Sequence, residues 1–139
     1  MIQQDISLDA YALLDCEKHW NIARRIRHEK KVRRRDLPPI VVCCTDGNII
    51  AGSYTHGPTG CVYHDLVKNA LITKLGPIGK KTNYCDFIIG RCAEPNAANK
   101  LVKRSRGTIT DLGVIRFSTP FRPFTKEPRS YCPNCEHTF

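Results

Sequence analysis

Long apolar runs are missing from this chain: its uninterrupted hydrophobic stretches are only a few residues. A membrane-spanning helix needs about 20 such residues in a row, so no span is expected and no membrane partner. The first residues, MIQQDISLDAY, lack the basic flank and apolar segment of a secretory signal peptide. Internal repeats and low-complexity tracts are also missing, which excludes solenoid and compositionally disordered architectures. Acidic residues are scarce, 13 against 22 Lys and Arg, leaving a net charge of +9. An excess of that size in a small domain favours a polyanionic partner.

What is present suits one globular domain, 1–139, with 41% hydrophobic residues. The positive charge is concentrated in RRIRHEKKVRRR, residues 24–35, where Glu29 is the one acid. Two readings of this run are open: a solvated helix face, or a surface that tracks phosphates through residues such as Arg24, Arg27 and Lys31. Eight cysteines in a chain without secretory features argue against a disulfide scaffold. Cys43 and Cys44 are adjacent in an apolar run and are expected to pack as small hydrophobes, as are Cys16 and Cys61. Cys85, Cys92, Cys132 and Cys135 are left to explain.

Asp5 or Ser7 caps a helix starting near Leu8, with Tyr11, Leu14, Ile22 and Ile26 at roughly helical spacing. The Leu-Pro-Pro at 37–39 stops it, giving a basic N-terminal helix within 1–36 and a core of 37–139. Two β-rich runs flank Asp46-Gly47-Asn48, a strong hairpin signal. Gly57, Pro58 and Gly60 predict a loop, 62–75 a second helix, and 86–89 a short strand. A further helix is expected over 93–102, with Pro95 in its first turn. A third strand (110–118), a proline-rich loop and CPNC complete the order. This is an α/β layered domain with a mixed β-sheet flanked by helices.

Cys132-Pro133-Asn134-Cys135 has the C-x-x-C spacing that lets two thiolates reach one metal, although the pair alone could equally be a redox couple or half of a structural zinc site. Cys92, at a predicted helix N-terminus, adds a third thiolate and leaves a fourth tetrahedral corner open for water. Glu94, two residues on, is a carboxylate placed beside that corner without being a ligand. Metal-assisted hydrolysis requires that combination.

Cys92-Ala93-Glu94-Pro95 followed by Cys132-x-x-Cys135 resembles the zinc-dependent cytidine deaminase-like superfamily in its three-cysteine form. DGNIIAGSY, with its Asp-Gly turn, is similar to that family's hairpin and second strand, and the element order matches from about Pro39 onward. Tyr131 stands where the family commonly has proline. The resemblance implies a cytidine deaminase-like fold with zinc at two helix N-termini. It also implies Zn2+ on Cys92, Cys132 and Cys135, Glu94 as the catalytic proton shuttle, and Ala93 backbone helping to hold the base.

Where free-nucleoside members carry a ribose-gripping asparagine, this chain has Tyr54. An aromatic there, with His56 nearby, suits a base taken from a strand, although Tyr54 could equally be a core ring. Ser130 and Tyr131 adjoin the thiol pair and are further substrate-binding candidates. In FRPFTKEPRSY, Phe121, Arg122, Phe124 and Arg129 could contact flanking nucleotides, or the two phenylalanines could anchor the loop. The basic, compact form most resembles bacterial toxin-type nucleic-acid cytosine deaminases. That implies single-stranded DNA or RNA as partner, a cytoplasmic site of action, delivery as an exported module of a larger toxin, and an immunity protein. Two other readings stay open: a free-nucleoside deaminase, and a nucleic-acid-binding module with a closed four-thiolate zinc that includes Cys85. Cys85, at the start of the expected strand, is expected to point elsewhere.

Overall fold

The computed structural model describes residues 2–28, 30–56 and 63–139. Glu29, the Gly57, Pro58 and Gly60 of the expected loop, and Cys61, expected to pack as a small hydrophobe, lie outside the described residues. The Asp46-Gly47-Asn48 turn forms as expected between β2 (Val41–Thr45) and β3 (Ile50–Tyr54). Gly47 has φ +100°, a region that favours glycine. Asp46 Oδ1 accepts from the Asn48 and Ile49 amides, both at 2.9 Å.

β2 is the spine of the sheet and is buried at every position. One edge pairs along its whole length with β3, antiparallel. The other edge takes β4 (Arg116–Phe117) at one end and β5 (Phe121–Arg122) at the other. β1 (Gln3–Gln4) lies parallel to β4, and β6 (Glu127–Pro128) antiparallel to β5. The sheet is therefore mixed, as expected. Pro128 sits on the edge strand, where a missing amide costs no ladder bond.

Strand alternation divides β2 between two cores. Val42 and Cys44 join the main core with Val67 and Leu71 of α2 (Asp65–Lys74) and Ala97, Ala98 and Leu101 of α3 (Ala93–Arg104). Val41 and Cys43 face the opposite way, against Ala12 and Cys16 of α1 (Asp9–Arg27) and Phe121. Helices thus cover both faces. The expectation that Cys16, Cys43 and Cys44 pack as hydrophobes holds: all three are buried. A last short helix, α4 (Pro133–Thr138), returns to pack on α2.

Four expectations need correction. The apolar stripe of α1 faces solvent: Tyr11, Leu14, Ile22 and Ile26 are 49, 60, 48 and 71% exposed. Its buried face is built from Ala12, Cys16 and Ala23, small side chains that let the helix axis approach β2 closely. Second, α1 ends at Arg27, where His28 takes φ +55°, and the next helical turn is a separate 3-10 turn at Arg34–Asp36, so Lys31 is not on the helix. Val32 and Leu37 bury against Ala23, folding that basic segment back, and Arg27 pairs with Asp36 at 3.4 Å. Third, the strand over 110–118 shrinks to Arg116–Phe117, because Asp111 caps a 3-10 turn at Leu112–Val114. Fourth, 86–89 forms no strand beyond a single antiparallel bridge, Lys81↔Ile88. Among the described residues no helix is long and apolar enough to cross a membrane.

Candidate metal centre and its cleft

Two helices begin at cysteines. Cys92 is the N-cap of α3 and Cys132 the N-cap of α4, each in extended conformation with no side-chain cap bond to its own helix. Proline follows at the first position of α4, where φ is already helical and no amide is lost. Cys135 comes round on the first turn of α4, so the C-x-x-C spacing brings its sulfur back beside that of Cys132. The sulfurs of Cys92, Cys132 and Cys135 all lie within 4.8 Å of one another. Tetrahedral thiolates with metal–sulfur bonds of about 2.3 Å stand roughly 3.8 Å apart, so the trio needs only a small contraction to share one ion. Among the described residues this is the one cluster of three such groups.

The protonation pattern of the trio fits a cation. Hydrogen bonds from Cys135 and Cys92 hold the Cys132 thiol down to about 3. Its donors go the other way: Cys92 is raised by donating to Cys132, and Cys135 is raised chiefly by burial. Three thiolates cannot share so small a volume on their own; a divalent ion removes that conflict and displaces the protons.

Glu94, in the first turn of α3, is 2% exposed, and its Oε2 accepts from Cys135 Sγ at 3.1 Å. Burial lifts its carboxyl to about 7, against the hydrogen bond from Cys135 and its own backbone amide, which favour the anion. At neutral pH such a group both gives and takes a proton readily. Asn96, one turn along α3, fixes this helix start: its Nδ2 donates to the Cys92 carbonyl at 3.0 Å and to the Tyr54 carbonyl at 3.2 Å.

A cleft of about 1010 Å³ opens onto Cys92, Ala93, Glu94 and Cys132. Arg122, Arg129, Ser130 and Tyr131 line it as well, so these candidates from the sequence converge on one place. The Tyr131 hydroxyl donates to the Ser118 carbonyl at 2.7 Å, anchoring the residue that replaces proline before the thiol pair. Other lining residues were not read from the sequence: Lys81, Asp86, Phe87, Arg91 and Thr55.

Several candidates fall elsewhere. Thr55, just past the end of β3, lines the cleft, and neither of its neighbours Tyr54 and His56 does. The Tyr54 ring instead meets His19 edge-on at 5.0 Å and His56 at 5.1 Å. Phe121 is buried in the second core and Phe124 stacks on Trp20 at 5.5 Å, so both anchor the loop rather than reach into the cleft. Trp20 Nε1 donates to the Pro123 carbonyl at 2.7 Å and completes that anchor. Arg24 lies over the Trp20 ring at 5.2 Å and Arg27 is paired with Asp36; with Lys31 they are absent from the cleft lining. Cys85 does not point elsewhere. Without a strand at 86–89, the loop turns its Sγ to 3.9 Å from Cys132 Sγ, at the margin of the trio.

Neither the family models, the curated proteins nor the solved structures give a match to this chain. The cysteine cluster therefore stands on its own geometry as a group that could hold a metal ion, and the α/β sheet flanked by helices as the class of the fold.

Proposed function

We propose that the protein is a zinc-dependent hydrolytic deaminase that converts cytosine to uracil in single-stranded nucleic acid, within a cytidine deaminase-like fold. The observation that carries this reading is the buried Glu94 carboxyl beside three convergent thiols at the end of an open, basic cleft. Cys92, Cys132 and Cys135 would hold the zinc, whose contribution when bound is a Lewis acid that makes a water nucleophilic near neutral pH. Glu94 would take a proton from the attacking water, pass it to the ring nitrogen of the base, and deliver a proton to the departing ammonia. Cytosine and water thus become uracil and ammonia. Ala93, buried at the N-terminus of α3, offers its backbone to the base. Arg122 and Arg129 favour a polyanionic strand over a free nucleoside.

A second reading has an observation in its favour. Cys85 Sγ, 3.9 Å from Cys132, is near enough for a loop adjustment to make it a fourth ligand. The zinc would then be closed and structural, and the basic cleft a binding surface. Direct chemistry separates the two. Wild-type protein and Glu94→Ala are offered single-stranded DNA, duplex DNA, RNA, free cytidine and free adenosine, with base changes read by sequencing and ammonia release measured. Single strands are the expected substrate because their bases need no extraction from a duplex. Glu94→Ala should keep its zinc and lose about a hundredfold or more in rate. No conversion by the wild type, or equal conversion by the variant, would contradict the proposal.

A further inference from the structure

Phe87 is 58% exposed, an unusual setting for a large apolar ring, and it lines the same cleft as Arg122 and Arg129. Its backbone is tied down. Asn134 Nδ2 donates to the Phe87 carbonyl at 3.1 Å, and Asn134 is itself 2% exposed, between the two cysteines of the C-x-x-C pair. Thr82 Oγ1 donates to Asn134 Oδ1 at 2.5 Å, so both limbs of the 81–88 loop are held by one buried amide. The Lys81↔Ile88 bridge and the Ile89 amide donating to the Lys80 carbonyl at 2.9 Å complete the brace. The backbone that carries the ring is therefore braced against the C-x-x-C turn.

Around it stand Lys81 and Arg91, both exposed, with Asp86 as the local acid. The ion pairs among the described residues use Lys18, Arg24, Arg27, Arg116 and Lys126, and leave both cleft cations unclaimed. A volume of about 1010 Å³ is at the upper end for a site that encloses one small ligand, which leaves room beyond a single nucleotide.

We propose that Phe87, Lys81 and Arg91 form a second nucleotide subsite, in which the ring stacks the base adjacent to the target and the cations hold its phosphate. The inference rests on the polynucleotide reading above and specifies how the strand is gripped. An aromatic face accepts any base, so this subsite supplies grip and register more than sequence choice. It also supplies the aromatic contact that Phe121 and Phe124, committed to the loop anchor, cannot make.

The test is binding, which does not depend on turnover. Zinc-loaded full-length protein is titrated against a fluorescent single-stranded oligonucleotide carrying one cytosine, and against the same strand with abasic sites on both sides of that cytosine. Phe87→Ala should weaken binding to the first strand by about tenfold or more, the loss of one base–aromatic stack. Phe87→Tyr should restore it, since the stacking face is kept. On the abasic strand wild type and Phe87→Ala should bind alike. Equal affinity of Phe87→Ala and wild type for the intact strand overturns the subsite, as does an equal loss on the abasic strand. Intact binding with no deamination would count against the enzymatic reading alone. No binding of either strand by the wild type would overturn the subsite together with the polynucleotide reading.

Discussion

A carboxyl that is 2% exposed at a helix N-terminus is held between two protonation states, because burial disfavours its anion while the helix end and a donor thiol favour it. Glu94 needs that balance for a proton shuttle, and the balance is set by its neighbours on α3 and α4. A different close approach fixes Gly52 of β3. A methyl group added there would stand 2.0 Å from Asp15 Oδ2 and 3.0 Å from Cys43 Sγ. Gly52→Ala should therefore lower stability by about 1 kcal/mol, read as a fall in melting temperature. In an Asp15→Ala background the same change should cost clearly less, because the tightest contact is gone. Equal costs in both backgrounds would mean that Asp15 does not set the limit. The thiols and Glu94 were legible in the sequence because a metal ligand set is written as short spacings that two helix starts reproduce. Phe87 and Cys85 were not, since their positions depend on the path of the 77–91 loop, which carries almost no regular hydrogen bonding. The one available signal was Asn134 inside the thiol pair, whose tie to Phe87 spans 47 residues.

At the scale of elements, α1 shows why periodicity misleads about burial. Its large apolar residues recur at helical spacing, yet small ones take the sheet face. Replacing both Leu14 and Ile22 with lysine should change stability by no more than about 0.5 kcal/mol per site, as for ordinary surface positions. Ala12→Leu should cost about 1–3 kcal/mol, because Ala12 is 0% exposed against Val41, Cys43 and Phe121. Denaturant midpoints measure both, and the reverse order would mean that the helix packs by its large-residue stripe. The hairpin, α2 and α3 were legible because turn chemistry and helix starts are local. The two-residue strands β5 and β6 were not, and β4 was foreseen only as part of a longer strand, since each exists through its pairing with another strand.

For the whole molecule, the net charge of +9 is less informative than where its free cations lie. Arg24 and Arg27 are engaged with Trp20 and Asp36, while Arg122 and Arg129 line the cleft outside the ion pairs among the described residues. Removing two phosphate contacts from a single-strand binder lowers the slope of log affinity against log salt by about 1.4. Arg122→Gln with Arg129→Gln should produce that drop, and Arg24→Gln with Lys31→Gln almost none. A larger drop from the second pair would return the polyanion surface to the N-terminal basic segment.

The central claim is that the metal centre is open, with three thiolates and one corner left for chemistry, and sulfur counting by zinc X-ray absorption tests it most directly. Wild-type protein and Cys85→Ser should give the same spectrum, three sulfurs at about 2.3 Å and one lighter atom at about 2.0 Å. Four sulfurs in the wild type, falling to three in Cys85→Ser, would contradict the account and make the site a structural zinc.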